Sequence, residues 1–270
     1  DFWSEVERVM SMVDSVLLVV DAYEWPMPQT KFVLGKALER GLTPILVINK
    51  IDKPTARPDW VLDEVFDLFV SLGATDEQAD FSVVYTSAKN GYAFMDMDEF
   101  TWEDHTGDMT ALFDHIVETV QPAPDRDDEP LQLQIVNLGY DDYVGRLGIG
   151  RIHAGTISQW DHVLVYKPDG TSRKAKISQV YTTLGLQRVE TKTAHSGDII
   201  TIAGIADIFV EETVGVEGTE PLPAIHVDEP TLTMEFLAND SPFAGREGKR
   251  VTSRNIMERL QKELETNVWL

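Results

Sequence analysis

The chain has 270 residues, no cysteine and a formal net charge of −23 at pH 7. This length favours two domains or more, and the absence of cysteine excludes disulfides and thiolate metal sites. No apolar run approaches the roughly 18 residues of a membrane span, and the acidity excludes a basic DNA-binding module, so we expect a soluble protein with no membrane or DNA partner. The absence of cysteine fits a cytoplasmic protein.

Strand and helix patterns alternate along the first 120 residues. Apolar runs predict strands at 15–21, 44–49 and 81–86, and helical spacing predicts helices at 29–40, 60–72 and 109–120. This alternation predicts an α/β unit with a parallel sheet covered by helices. The opening segment, 5–13, also has helical spacing, and we expect it to pack on that sheet.

The pattern changes after a segment rich in proline and charge, Pro122 to Pro130, which predicts an interdomain linker. Beyond it the apolar residues follow a period of two, with short strands predicted at 131–135, 148–152, 163–166 and 198–202. Short strands separated by turns such as Pro168-Asp169-Gly170 are typical of a small closed β-barrel.

A third part begins near residue 229. A strand is predicted over 231–237 and a helix over 252–264, with Thr252 or Ser253 as its N-cap. The predicted fold is therefore a parallel α/β domain, then a β-barrel, then the start of an α+β domain, with divisions at 1–124, 125–228 and 229–270.

Two short motifs follow predicted strands of the first part. Asn49-Lys50-Ile51-Asp52 ends the run at 44–49, and Ser87-Ala88-Lys89 follows the run at 81–86. The carboxyl ends of parallel strands meet at one sheet edge, where nucleotides bind. The carboxylate of Asp52 can accept from N1–H and the exocyclic amino group of guanine together, a contact that adenine does not offer. A chance strand and turn would explain Asn-Lys-x-Asp alone, but its combination with Ser-Ala-Lys after a second strand favours a guanine site.

The other motif residues have supporting roles in this hypothesis. Asn49 braces the loop and faces the base, and the aliphatic stem of Lys50 covers one ring face. Ser87 fixes its loop, Ala88 offers its backbone N–H to the guanine carbonyl, and Lys89 covers the second ring face. The chain contains no G-x-x-x-x-G-K-[ST] phosphate loop, so the sequence predicts a base pocket without a phosphate pocket.

Basic residues and tryptophans are the remaining candidates for contacts with partners. Two groups of basic residues can contact RNA phosphates or form ordinary solvated surface. The first is Arg173, Lys174 and Lys176, and the second is Arg246, Lys249, Arg250 and Arg254. Trp60, Trp102 and Trp160 lack interleaved basic residues in the sequence, so we assign them to packing and not to base stacking.

Longer segments resemble the BipA/TypA family of translational GTPases over essentially the whole chain. The segments that carry the resemblance are Glu5 to Ala22, Pro26 to Thr30, Asn49 to Pro58, Asp67 to Gln78, Tyr143 to Ile152 and Ser241 to Arg254. The resemblance implies a G domain in 1–124, a β-barrel domain in 125–228 and the start of an α+β domain in 229–270. It also implies guanine contacts by the six residues named above.

The resemblance further implies a cytoplasmic, monomeric GTPase that binds GTP or GDP with Mg²⁺ and acts on the ribosome, through rRNA and ribosomal proteins, in ribosome assembly and stress adaptation. In the family the phosphate loop, the Mg²⁺ ligands and the catalytic histidine lie upstream of residue 1. We therefore assign no catalytic residue and no metal ligand in this chain, and expect the parent protein to hydrolyse GTP but this chain alone not to do so.

Three departures from the family concern glycines. Trp3, Ser4 and Trp25 stand where the family has glycine, which predicts an altered switch segment. Without the leading strands of the family, we expect the first domain to expose apolar sheet surface and to be marginally stable. The alternative function is a nonenzymatic ribosome-binding or rRNA-binding module with a vestigial nucleotide site.

Overall fold

A computed structural model describes residues 3–24, 26–100, 107–224, 234–238, 241, 246 and 252–263. The chain divides into two compact units. Residues 13–122 form one unit, here called the α/β unit, and residues 1–12 with 123–270 form the other, here called the barrel unit. The predicted division at 1–124, 125–228 and 229–270 stays a prediction.

The α/β unit alternates strands and helices as predicted. Its helices are α2 (Pro28–Glu39), α3 (Pro58–Ser71), α4 (Asp76–Ala79) and α5 (Thr110–Thr119), and its strands are β1 (Ser15–Asp21), β2 (Thr43–Asn49), β3 (Val83–Ser87) and β4 (Tyr92–Phe94). The three predicted strands and three predicted helices are confirmed to within two residues. Sequence reasoning missed α4 and β4.

The strands form one sheet in the order β1-β2-β3-β4, with the first three parallel and β4 antiparallel to β3. Leu46 and Ile48 of β2 pack in one buried cluster with side chains of α2 and α3, whereas Ile45 and Val47 pack in another with Leu112 of α5. Burial on both faces explains why β2 is a continuous apolar run and not an alternating one.

The β1 strand forms one edge of this sheet. Leu17 and Val19 on β1 are 44% and 55% exposed, although their neighbours Leu18 and Val20 are buried. The expectation of exposed apolar sheet surface agrees with these two side chains. The marginal stability of the unit stays a prediction.

The strands of the barrel unit pair antiparallel to one another. Its strands are β5 (Gln132–Asp141), β6 (Gly145–Ala154), β7 (Ile157–Ser158), β8 (His162–Tyr166), β9 (Ser172–Lys176), β10 (Gln179–Leu184), β11 (Gln187–Thr191), β12 (Thr193–Ala194), β13 (Ile199–Ala203) and β14 (Thr213–Gly215). Eight of them form a sheet in the order β11-β10-β13-β6-β5-β14-β8-β9, and β7 pairs with β12. One buried cluster collects side chains from across both sheets, among them Leu133, Ile152, Val165, Val180 and Ile202. The predicted change to all-β structure is confirmed.

The opening segment forms helix α1 (Trp3–Val9) and a 3-10 turn (Met10–Met12). It packs in the barrel unit against β5: Met12 is buried against Val136, and Arg151 Nη1 donates to the Met12 carbonyl at 3.2 Å. The expectation that this helix packs on the parallel sheet is wrong. Helical spacing predicts an apolar face but does not specify the surface that covers it.

The third predicted part is described only in pieces. Helix α6 (Ser253–Glu263) is confirmed, and Asn255 N–H donates to Thr252 Oγ1 at 3.4 Å, as predicted for a cap at Thr252. Residues 234–238 are not in a strand, so the strand predicted over 231–237 is wrong there. Residues 231–233 lie outside the described residues.

The tryptophans differ in their surroundings. Trp60 packs beside the core of the α/β unit, as predicted, but Trp160 is 61% exposed and its assignment to packing is wrong. Trp25 and Trp102, and the side chains of Trp3 and Ser4, lie outside the described residues. Within the described ranges, no helix combines the length and apolar character that crossing a bilayer requires.

Candidate guanine-binding site

Parallel pairing brings the two predicted guanine motifs to one edge of the α/β sheet. Asn49 is the last residue of β2 and Ser87 the last residue of β3. The two strands are neighbours in parallel register, with Asn49 opposite Thr86. The loops that follow both strands therefore leave the sheet side by side.

Asn49 joins the two loops through a single side-chain oxygen. Its Oδ1 accepts from Lys50 N–H at 2.8 Å, from Ala88 N–H at 3.0 Å and from Thr86 Oγ1 at 3.3 Å. Lys50 has φ +70°, a left-handed conformation that is costly for a residue with a Cβ. The hydrogen bond from its N–H to Asn49 helps to hold that conformation, so Asn49 has the bracing contacts that the sequence predicts.

Ser87 connects the second motif to the first. Its hydroxyl donates to Asp52 Oδ1 at 2.7 Å and accepts from Asn90 Nδ2 at 3.0 Å. Ser87 is fully buried, whereas Asp52 is partly exposed. The serine thus orients a carboxylate that remains accessible to a ligand.

Asp21 is a third anchor of this edge, and sequence reasoning missed it. It ends β1 opposite Asn49, and its Oδ2 accepts from Lys50 Nζ at 2.6 Å and from Lys53 Nζ at 3.1 Å. Burial raises the pKa of Asp21, but hydrogen bonds from Lys50, Tyr23 N–H and Lys53 outweigh that effect and lower the pKa from 3.8 to about 2. The signal for Asp21 in the sequence was a carboxylate at the carboxyl end of β1, the strand that precedes β2 and the Asn49 motif.

The loop after Asp52 is fixed to the end of β1 by Arg57. The guanidinium lies 3.5 Å from the centre of the Trp60 ring, and its Nη2 donates to the Tyr23 carbonyl at 3.1 Å. The backbone N–H of Arg57 donates to the Ala22 carbonyl at 2.8 Å. These contacts limit the movement of the loop that carries Asp52.

The other predicted contacts with guanine come from Ala88, Lys50 and Lys89, and they stay predictions. The Ala88 N–H already donates to Asn49, so binding a guanine carbonyl requires this hydrogen bond to be shared or exchanged. The Lys50 ammonium points to Asp21, and Lys89 is exposed. The site as a whole is a preorganised set of acceptors and donors suited to reading the edge of a flat, polar ring.

In the described part of the chain, no group of three or more histidine, aspartate or glutamate side chains is placed to hold a metal ion.

Two protein-family models divide the chain near residue 125, and they group residues 1–12 with the first part, whereas the structure groups those residues with the barrel unit. Residues 1–122 match the model of the elongation factor Tu GTP binding domain, and residues 130–216 match that of elongation factor G domain 2. A solved structure of translation elongation factor SelB from Methanococcus maripaludis, in complex with the GTP analogue GppNHp, has a TM-score of 0.57 and 19% identity. The similarity covers 79% of this chain and 43% of that one, and at this identity it supports the fold alone.

Curated relatives match over the whole chain at much higher identity. The large ribosomal subunit assembly factor BipA of Salmonella typhimurium is 55% identical, and that of Bacillus subtilis is 51% identical. All of this chain is covered in both cases, and the chain spans 44% of the length of each relative. The match over all of this chain, together with the family segments in the sequence, shows that the chain belongs to the BipA/TypA family.

Proposed function

We propose that this chain is part of a ribosome-associated translational GTPase that acts in assembly of the large ribosomal subunit, and that it supplies the guanine-reading half of the nucleotide site. The observation that carries the proposal is the 2.7 Å hydrogen bond from Ser87 to Asp52, which unites the two motifs in one site. The names of the relatives and the matches to two translation-factor domains support the ribosomal context.

The proposed selectivity follows from the chemistry of Asp52. Guanine presents N1–H and an exocyclic amino group as adjacent donors, and a carboxylate can accept from both. Adenine presents an acceptor at N1, so it would leave the carboxylate unpaired. Sites of this kind reject the wrong ligand by roughly 10⁴-fold or more.

The remaining residues complete the base pocket in this proposal. Asn49 holds the two loops together, while the stems of Lys50 and Lys89 cover the two faces of the ring. Ala88 N–H donates to the guanine carbonyl by sharing or exchanging its bond to Asn49. Asp21 keeps Lys50 in place by accepting from its ammonium.

Hydrolysis belongs, in this proposal, to the longer protein. GTP with Mg²⁺ supplies the transferable phosphoryl group, and transfer depends on charge stabilisation around the phosphates. The residues described above bind the base, so we expect this chain alone to be inactive and to bind guanine nucleotides weakly. Cytoplasmic location, a monomeric state, contacts with rRNA and ribosomal proteins, and a role in stress adaptation are parts of the same proposal.

The test is calorimetric titration of the purified chain with GDP, GMP and ADP. We expect GDP and GMP to bind with similar, weak affinity and ADP not to bind, because the base provides the contacts. Asp52→Asn should abolish binding of both guanine nucleotides. It should favour xanthosine monophosphate, because the amide N–H of asparagine can donate to the second carbonyl of xanthine.

Asp63→Asn is the matched control, because Asp63 is an exposed aspartate on α3 outside the loops. The proposed base site would be contradicted by equal binding of GDP and ADP, or by Asp52→Asn and Asp63→Asn behaving alike. Binding of GDP far tighter than that of GMP would instead contradict the expectation that phosphate contacts are missing from this chain, since each charged hydrogen bond is worth about 1.5 to 3 kcal/mol.

A further inference from the structure

Trp160 is an exposed tryptophan in a conformation that tryptophan rarely adopts. It lies in the turn between β7 and β8 with φ +72°, and 61% of it is accessible to solvent. A left-handed conformation at a non-glycine residue is strained and persists only where the surroundings enforce it. Neither burial nor local preference therefore explains a tryptophan at this position.

Backbone hydrogen bonds on both sides hold this turn. Trp160 N–H donates to the Ile177 carbonyl at 3.0 Å, and Ile177 N–H donates back to the Asp161 carbonyl at 2.9 Å. The carboxylate of Asp161 accepts from Ser158 N–H at 2.7 Å. The indole is consequently presented from a firmly bonded turn, and the carboxylate of the next residue, Asp161, is engaged with the backbone.

One lysine lies beside the indole, and a second lysine shares its face of the β8–β9 hairpin. Lys176 Nζ lies 5.3 Å from the centre of the Trp160 ring. Lys176 pairs with His162, and Lys174 pairs with Leu164, so the two lysines point to the same side of the sheet two residues apart. Both lysines and His162 are exposed.

The outward positions of the two strands contain no acidic residue. They are His162, Leu164 and Tyr166 on β8, and Ser172, Lys174 and Lys176 on β9. Arg173 points the other way, where it pairs with Glu212 and Asp207. In a chain with a net charge of −23, this face combines an aromatic ring with local positive charge.

We propose that Trp160 stacks on an unpaired RNA base while Lys176 and Lys174 contact the adjacent phosphates. Every nucleobase has a π face that stacks on an aromatic side chain, and lysines beside the ring can neutralise the backbone that carries the base. An apolar protein surface would use the indole but not the lysines, and a duplex keeps its bases out of reach. The choice of RNA over DNA rests on the proposed ribosomal function, whereas the stacking site does not.

The test measures binding of the full 270-residue chain to a fluorescein-labelled oligoadenylate decanucleotide by fluorescence anisotropy. The measurement is made without guanine nucleotide and over a range of salt concentrations. We expect Trp160→Gly to weaken binding about tenfold or more, and Trp160→Phe to weaken it less. Lys176→Gln should reduce the slope of log affinity against log salt by about 0.7. An RNA duplex should bind wild type and Trp160→Gly equally.

Two controls separate this result from misfolding and from general charge loss. Glycine suits the left-handed position, so Trp160→Gly should keep or raise the melting temperature. Lys167→Gln removes an exposed lysine that directly follows β8, roughly 17 Å along the hairpin from Lys176, and should change binding less than Lys176→Gln.

Three outcomes would overturn the proposal. These are equal RNA affinity of wild type and Trp160→Gly, no detectable RNA binding at low salt, and loss of a ribosomal protein contact in Trp160→Gly with RNA binding intact. A deoxyadenylate decanucleotide bound more tightly than the RNA would overturn the choice of RNA only. Because the measurement omits guanine nucleotide, its failure leaves the proposed base site untouched.

Discussion

Ser87 Oγ donates a 2.7 Å hydrogen bond to Asp52 Oδ1 across 35 positions of the chain. This bond orients the carboxylate that we propose to read guanine, and the serine that makes it is fully buried. The second motif therefore acts on the first through a direct contact, and does not merely lie beside it.

Ser87→Ala should weaken binding of GMP about tenfold and lower the free energy of unfolding by about 1 to 2 kcal/mol. The reason is that Asp52 loses a charge-assisted bond and Asn90 loses an acceptor. Calorimetry and urea unfolding measure the two effects. Ser71→Ala, at the exposed end of α3, is the control, and equal affinities of the two variants would show that Ser87 does not position Asp52.

Asp21→Asn should destabilise the chain in a pH-dependent way. The pKa of Asp21 is about 2 in the folded chain and 3.8 ordinarily, so its ionised form stabilises the fold. This contribution is fully present above about pH 4 and is lost as the pH falls through about 2. The difference in urea midpoint between wild type and variant should therefore shrink between pH 5 and pH 3.

Asp63→Asn provides the baseline for that measurement, because Asp63 is exposed on α3. A constant difference between Asp21→Asn and wild type across the same pH range would contradict the assigned ion pairs with Lys50 and Lys53. So would an equal pH response of the two variants.

Gly155→Ala should destabilise the barrel unit more than Gly170→Ala. Both glycines have left-handed backbones, with φ +73° and +83°. A Cβ at Gly155 would lie 2.6 Å from the Leu131 backbone, whereas at Gly170 it would meet nothing within 4 Å. Both variants should lose about 1 kcal/mol of unfolding free energy, because alanine disfavours a left-handed backbone. Gly155→Ala should lose about 1 to 3 kcal/mol more, because its Cβ overpacks against the Leu131 backbone. Chemical denaturation measures both, and similar losses would refute the close approach.

Arg173→Met should cost about 3 to 5 kcal/mol of stability, because it leaves the carboxylate of Glu212 buried without its cation. Glu212 is 2% exposed, and Arg173 donates to it through Nη1 at 2.6 Å and Nη2 at 2.9 Å. The hydrogen bond with Glu212 also raises the pKa of Arg173. Thermal unfolding provides the measurement.

Two further variants test the cause of that loss. Adding Glu212→Gln to Arg173→Met should restore part of the stability, because the uncharged side chain can still accept from Phe209 N–H. Lys174→Met, next to Arg173 but on the exposed face, should change stability little. A loss in Lys174→Met as large as that in Arg173→Met would argue against the buried pair.

The sequence by itself determined the long strands and helices of the α/β unit and the change to β structure that follows them. Apolar runs and helical spacing act within about ten residues, so β1, β2, β3 and the three long helices of the α/β unit were predictable to within two residues. The hypothesis that Asp52 reads a base also came from the sequence alone, because a carboxylate in the loop after a buried strand, with a second polar motif after the next strand, is typical of a nucleotide site. That role stays a prediction.

Only the tertiary structure decided which surfaces meet. The sequence does not state that Asp21 reaches Lys50, that helix α1 packs on β5, or that Trp160 stands exposed beside Lys176. Each of these depends on residues far apart in the chain, whose pairing is set by the register of strands and by the core that the whole unit buries. Local pattern fixes the face that a segment offers, but burial and charge pairing depend on what the rest of the chain places against it.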